Sequence, residues 1–429
     1  MRTVLLLCCL LALSVVAAQP VAPAAADTTG PYLLSADRLF DGEQVREGWA
    51  ILVEGERIKE VGPLAGIRVP AHTKKLHFPK ATILPGLIEG HSHMFLYPYE
   101  QRSWDEQVLK ETDAMRAIRA TQHARATLLA GFTTARDMGT EGAGYADVDL
   151  REAIDRGIVP GPRLLVAGRA IVATGAYGPK GYDSDNKIML GAQEADGDQL
   201  IRVTREQMGH GTDLVKIYAD YHWGKGKEDL PTFSEEELRL VVKTARSGGR
   251  PVAAHAGSAE GMRRAILAGV ETIEHGDDMT DSIAQLIRQK GVVYIPTLAA
   301  TESICRYQGW KKGKDPAPEW ILQKKKGFQT ALRAGVKIGM GGDVGVFAHG
   351  SNILEMELMQ EYGMSALEVL KAATSVNADA FHQQENIGRL KAGLFADLIV
   401  VTGDPTKQVS ACRQLRLVMK GGKIYFSGN

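Results

Sequence analysis

The sequence predicts an α/β fold, a TIM-type (β/α)8 barrel carrying a small discontinuous β-sandwich domain. Three observations predict it. The chain has 429 residues, 44% hydrophobic and 24% charged, enough for a large core and too polar for a multi-span membrane protein. From about Leu84 to Phe381, apolar runs of strand length alternate with longer amphipathic stretches, the pattern of repeated βα units. Outside that region lie short β-like runs separated by turn residues: LLSADRLFDG, WAILVEGERIKEVG and KKLHFPKATILPGLIEGHSH at the front, GRLKAGLFADLIVVTGD to LRLVMKGGKIYFSG at the back. The expected boundaries are 31–84 plus 388–429 for the small domain and 85–387 for the barrel.

In chain order the candidate barrel strands are Ile83–His93, Thr133–Arg136, Arg163–Val166, Leu214–Tyr218, Val252–His255, Thr272–His275, Val292–Pro296 and Val336–Gly341. Helical stretches fall between them, among them Asp105–Ala130, Ser234–Ser247, Ala259–Ala268 and Ser282–Lys290, the second begun by the capping-box pattern of Ser234 and Glu237. The stretch Ile171–Asp196 is punctuated by Gly175, Gly178, Gly181 and Gly191 and reads as a long loop after the third strand.

The first residues, MRTVLLLCCLLALSVVAAQP, combine Arg2, an apolar run from Val4 to Leu13 and small residues at Val16-Ala17-Ala18, the pattern of a secretory signal over 1–18. Its run is short for a membrane span, so no stable span is expected after its removal, and a periplasmic or secreted location follows. Of four cysteines, two lie in this leader; Cys305 and Cys412 make no disulfide framework and have no metal-site spacing. Lys+Arg and Asp+Glu are both 51, a net charge of zero with no long run of one sign, which argues against nucleic acid as a partner.

Chemistry gathers at the predicted strand ends. His91 and His93 lie two apart, so on a strand both rings point to one side and can reach one metal. Further candidates end other strands: Lys216 in DLVKIY, His255 in PVAAHAG, His275 in ETIEHGD and Asp343 in IGMGGDVG. Singly each has a plain reading, a surface lysine, core histidines and a helix N-cap. Together they fall at the catalytic rim of one barrel.

This set resembles the metal-dependent amidohydrolase superfamily. The motifs ILPGLIEGHSH, GFTTARDMG, KIY, AHAGS, TIEHG, GGDVG and FADLIVVTGDP are similar to the branch with Xaa-Pro dipeptidase-like peptidases and ochratoxin-hydrolysing amidohydrolases. The resemblance implies two divalent metal ions, zinc by default: His91, His93 and Asp343 on one, His255 and His275 on the other, and Lys216 bridging as its carbon dioxide-derived carbamate. That modification requires a neutral amine, and the apolar neighbours Leu214, Val215 and Ile217 favour it by desolvation. The implied reaction is cleavage of a peptide-like amide bond in a dipeptide or N-acyl amino acid, ochratoxin A among them. A metal-bridging hydroxide would attack the carbonyl carbon, with Asp343 as general base and then acid and no serine or cysteine nucleophile.

Substrate-binding candidates are Tyr218, on the same strand face as Lys216, with Tyr221 nearby, His349 after the last strand, and Tyr177. Core packing is the competing reading for Tyr218, and a surface loop for His349. Many relatives carry a TGGH-type motif where this chain has Thr174-Gly175-Ala176-Tyr177, so Tyr177 departs from the pattern by lacking an imidazole. Arg136 and Arg169 are weaker candidates for pairing with a carboxylate. A cyclic-amide hydrolase of the hydantoinase kind shares the implied site and stands as the alternative, followed by a non-catalytic binding protein on the same barrel. The resemblance also implies a homo-oligomer.

Overall fold

The computed structural model describes residues 31–428 apart from 184, 186 and 225–227. The predicted leader lies outside the described residues. No helix among those described is long and apolar enough to cross a membrane.

The architecture is mixed α/β. Parallel strands Leu87–Ser92, Phe132–Asp137 and Arg163–Val166 form one inner sheet. A second parallel sheet runs in the order Gln193–Glu194, Ile171–Val172, Val215–Tyr218, Val252–Ala256, Thr272–His275 and Val293–Ile295. Helices such as Glu235–Ser247, Ala259–Ala268 and Asp281–Lys290 separate the strands and bury one apolar face each. The capping box at Ser234 and Glu237 forms as the sequence predicts, with both reciprocal hydrogen bonds present.

Four elements differ from the sequence reading. The expected strand Ile83–His93 is two strands, Lys74–Pro85 and Leu87–Ser92, broken at Gly86, where a Cβ would run into the Thr133 side chain. Asp105–Ala130 is also two elements, because the hydroxyl of Thr112 accepts from Met115 N and starts a new helix after Trp104–Lys110. The long loop contains two short strands, Ile171–Val172 and Gln193–Glu194. Val336–Gly341 is no strand; Ile338 makes an isolated parallel bridge to Tyr294, and Val344 makes another to Ser92. Four glycines and a turn at Asp343 cut this segment short, yet it still passes between the last strand of one inner sheet and the first of the other.

Both terminal segments meet in one sheet of eight strands, from Lys423–Ser427 through Leu398–Thr402 and Lys74–Pro85 to Arg57–Pro63. Where two stacked sheets were expected, the described strands form one hydrogen-bonded sheet, in which Val45–Glu47 branches off the main path by pairing with Tyr32–Phe40. Leu398–Thr402 pairs antiparallel with Ala81–Pro85, joining residues from opposite ends of the chain. An ion pair of Arg163 with Asp397, Nε to Oδ2 at 2.9 Å, ties this sheet to an inner strand, and Lys420 donates to Gly161 O at 2.6 Å. Cys305 and Cys412 are buried free thiols.

Candidate metal centre

The parallel register decides which side chains share a face. Tyr218 pairs with His255, and His255 with Glu274, so these three project in one row, with Lys216 two residues before Tyr218 on the same side. Strand alternation alone would send His275 the other way. It is the last residue of its strand and adopts left-handed backbone, φ 73°, which brings its ring back toward His91 and His255, with ring centres 5.0 and 4.4 Å away. Asp343 is turned in by the same device at φ 62°, and Thr297, which meets His275 Nδ1 at 2.9 Å, has φ 50°. Non-glycine residues in this region cost on the order of 1–3 kcal/mol each and cluster at functional sites.

His91 Nε2 and His93 Nε2 approach Asp343 Oδ1 at 3.7 and 3.3 Å. His91, His275 and Asp343 each offer a ligand atom within 4.8 Å of the others, a grouping able to hold a metal ion. This links His275, expected on the second ion, directly to residues of the first.

Outer partners fix the imidazoles. His91 Nδ1 donates to Glu274 Oε2 at 2.8 Å and His93 Nδ1 donates to Gly139 O at 2.8 Å, which leaves each Nε2 with its lone pair facing inward. Glu274 in turn accepts from Arg136 Nη2 at 2.7 Å, and the Arg136 ring of donors also reaches Gly90 O and Thr272. Arg136 is thus buried beneath the centre and is not available to a substrate carboxylate. Arg169 bonds Ala192 O and does not line the cavity. On the other side Glu89 accepts from the backbone N–H of His91 and Gly342, at 3.1 and 2.8 Å, locking the two ligand-bearing segments together.

Electrostatics favour neutral imidazoles and a neutral amine at the site. Burial, with Lys216 and neighbouring imidazoles adding to it, holds His91 and His255 well below the usual histidine range. Burial and the adjacent His255 and His91 do the same for His275. Burial lowers Lys216 to about 8 although Glu274 and Asp343 pull the other way, and burial raises Asp343. Whether a cation fits can be judged from the polar atoms left over: His91 Nε2, Lys216 Nζ, His255 Nε2 and Asp343 Oδ1 are buried without a hydrogen-bond partner. A buried polar atom without a partner costs about 1–3 kcal/mol. Four of them converging at strand ends, all imidazole, amine or carboxylate, are the donor set of a borderline transition metal.

A cavity of about 910 Å³ opens over these residues, lined by His93, His255, His275 and Asp343 at its floor and by Tyr177, Tyr218 and Tyr221 at one wall. Tyr218 stacks on His255 with ring centres 4.4 Å apart. Tyr177 donates its hydroxyl to Glu141 Oε2 at 2.6 Å and sits 3.5 Å from the Tyr218 hydroxyl. His349 does not line the cavity: its Nε2 meets Leu96 O at 3.1 Å, its Nδ1 meets Thr127 Oγ1 at 3.3 Å, and its ring stacks on His123. The substrate-binding expectation for His349 is therefore corrected, since both ring nitrogens serve the scaffold. Sequence reasoning missed Glu274, Glu89 and Glu141.

The chain is similar to known proteins over most of its length. The model of the amidohydrolase family matches residues 82–425. An ochratoxinase from Aspergillus niger is 27% identical over 95% of this chain and 89% of its own length. A crystal structure of a Xaa-Pro dipeptidase with bound methionine in the active site superposes with a TM-score of 0.83 at 32% identity, covering 93% of this chain and all of that one. A prolidase complexed with N-methylphosphonate-L-proline gives a TM-score of 0.80 at 25% identity over 92% of this chain and 99% of that one.

Proposed function

The chain belongs to the amidohydrolase family, in its dipeptidase and ochratoxinase branch, with a TIM-barrel-type α/β fold and the activity of a hydrolase of amide bonds; from this we propose a binuclear metal enzyme that releases a free amino acid from a dipeptide or an N-acyl amino acid, ochratoxin A included. The observation that carries the reading is the set of unpartnered buried atoms on His91, Lys216, His255 and Asp343. In this proposal His91, His93 and Asp343 would hold one ion and His255 and His275 the other, with Lys216 as a ligand available to both. Lys216 becomes available in this way after its neutral amine adds to carbon dioxide and loses one proton, giving an anionic two-oxygen ligand.

When bound, the ions supply Lewis acidity that makes water a nucleophile near neutral pH and polarises an amide carbonyl. The protein's own residues do the rest. Asp343, its basicity increased by burial, takes the proton of the attacking water and delivers it to the leaving nitrogen. The Tyr218 and Tyr221 hydroxyls orient the carbonyl or a substrate carboxylate, and Tyr177 closes the wall beside them. Zinc is the proposed metal. The proposal also takes the two inner sheets as one barrel wall (85–387), the terminal sheet as a small sandwich-like domain (31–84 plus 388–429), and the product as a periplasmic or secreted homo-oligomer after loss of 1–18.

The test is amino-acid release from a panel of dipeptides, N-acyl amino acids and ochratoxin A, before and after metal removal. Release that stops on stripping and returns with zinc is the expected result. A chain that still binds two ions and cleaves no member of the panel would overturn the substrate reading.

A further inference from the structure

Glu141 stands out among the cavity residues the proposed chemistry does not use. Its side chain is 3% exposed, lines the cavity next to His93, and sits on left-handed backbone at φ 51°. The buried Arg116 guanidinium holds that backbone in place, donating to Glu141 O and Thr140 O at 2.7 Å each and to Phe95 O. Arg116 thereby directs its hydrogen bonds at carbonyls and makes none to the Glu141 carboxylate.

The two carboxylate oxygens are used unequally. Oε2 accepts from the Tyr177 hydroxyl at 2.6 Å and from Trp104 Nε1 at 3.0 Å. Oε1 takes no hydrogen bond among the described residues; it lies 3.8 Å from His93 Nδ1, whose proton already goes to Gly139 O. Orienting His93 is therefore not its task. Four aromatic rings stand by: Tyr177 lies 4.7 Å from Tyr218 and 4.9 Å from Tyr221, centre to centre, and Trp104 packs edge-on to Tyr177 at 5.4 Å. A carboxylate oxygen open to a cavity and flanked by aromatic rings is the chemistry that recognises an ammonium group, through a charge-assisted hydrogen bond and cation–π attraction.

We propose that Glu141, backed by Tyr177 and Tyr221, is the subsite for the free α-ammonium group on the acyl side of the scissile bond, so that this enzyme selects unblocked dipeptides over N-acyl amino acids. The proposal rests on the amide-hydrolase reading and decides between the two substrate classes that reading leaves open. An α-ammonium is one carbon from the scissile carbonyl, so a carboxylate one side chain away from the metal-ligand set is suitably placed. Replacing that ammonium by an amide removes the charge and leaves Oε1 facing a group with a single weaker donor, the mismatch that rejects analogues most strongly.

The experiment compares matched pairs, dipeptides and their N-acetyl derivatives, on the metal-loaded wild type and on Glu141→Gln and Tyr177→Phe. The wild type is expected to favour the unblocked member by about 10-fold or more in kcat/KM. Glu141→Gln should lose most of that preference through KM for the unblocked member, with the N-acetyl member changed little. Tyr177→Phe, which keeps the ring and removes only a hydroxyl, should lose a smaller part and serves if Glu141→Gln fails to fold. Equal cleavage of both members by the wild type, or an equal fall for both in the variants, overturns the ammonium subsite and leaves the amide-hydrolase reading standing. Cleavage of neither member of any pair overturns that reading itself, and this inference with it.

Discussion

A histidine binds metal only when one nitrogen is deprotonated and aimed, and the residue that aims His91 is Glu274. The 2.8 Å contact to His91 Nδ1 and the ion pair from Arg136 to Glu274 form a relay of three buried side chains under the centre. Removing the charge at its middle keeps the shape and weakens the ligand. Glu274→Gln is expected to lower metal affinity or turnover about 10–100-fold, the usual price of an outer-shell loss. Metal content after dialysis against a graded chelator series checks this, and wild-type retention would contradict it. At this scale the sequence was informative where the residue type itself is the signal. The candidate set of His91, His93, Lys216, His255, His275 and Asp343 is visible in the sequence because imidazole, amine and carboxylate recur at the ends of successive apolar runs. Glu89, Glu141 and Glu274 could not, since a buried glutamate looks like any surface glutamate until its partners are known.

Elements place those residues, and their ends matter more than their middles. The segment Val336–Gly341 was expected as an eighth strand; Ile338 and Val344 each form an isolated bridge, and the chain turns at Asp343 between them. Period-two alternation is a signal for continuous ladders, and a segment rich in glycine satisfies the apolar part of the pattern without making the ladder. What the glycines do instead is allow close approach. A Cβ on Gly341 would lie 2.8 Å from His91 N and 3.0 Å from His91 Cβ. Gly341→Ala should therefore push the Asp343 turn away from the strand that bears His91, costing about 1–3 kcal/mol in stability and a larger share of metal binding. Melting temperature and metal stoichiometry together check this; a variant with both intact would show that the segment yields freely. The helix broken at Thr112 and the strand broken at Gly86 have the same lesson. Each break is set by a local contact, a hydroxyl cap or a Thr133 side chain, that competes with a longer periodic run.

Across the whole molecule, stability is tied to pH through acids buried far from water. Burial raises Glu355 from 4.5 to about 8 even though Ala299 N donates to it, and raises Asp147 from 3.8 to about 7. Both groups bind protons more tightly in the folded chain than in the open one. Their contribution is therefore fully present below pH 4, and it is lost as pH rises through 7 and 8, at up to about 1.4 kcal/mol per group per pH unit. Between pH 7 and pH 8, above the range in which the buried histidines contribute, the metal-free protein is expected to melt at progressively lower temperature as pH rises. Glu355→Gln should flatten the upper part of that curve, and an unchanged slope would show that Glu355 is not the group responsible. The overall α/β alternation was legible because it is repeated many times along the chain; the strand order of the terminal sheet was not, since it depends on pairing between residues at opposite ends.

That pairing has a temporal side. The N–H of Gly342 reaches Glu89 across 253 positions, and the residues of the candidate centre span nearly the same interval, from His91 to Asp343. A nascent chain emerges in order, so for most of its synthesis it holds histidines with no carboxylate to complete them. A premature stop anywhere before residue 343 would release a polypeptide unable to close the loop. The bond between Glu89 and Gly342 therefore forms only in molecules whose first and last thirds have both arrived and found each other.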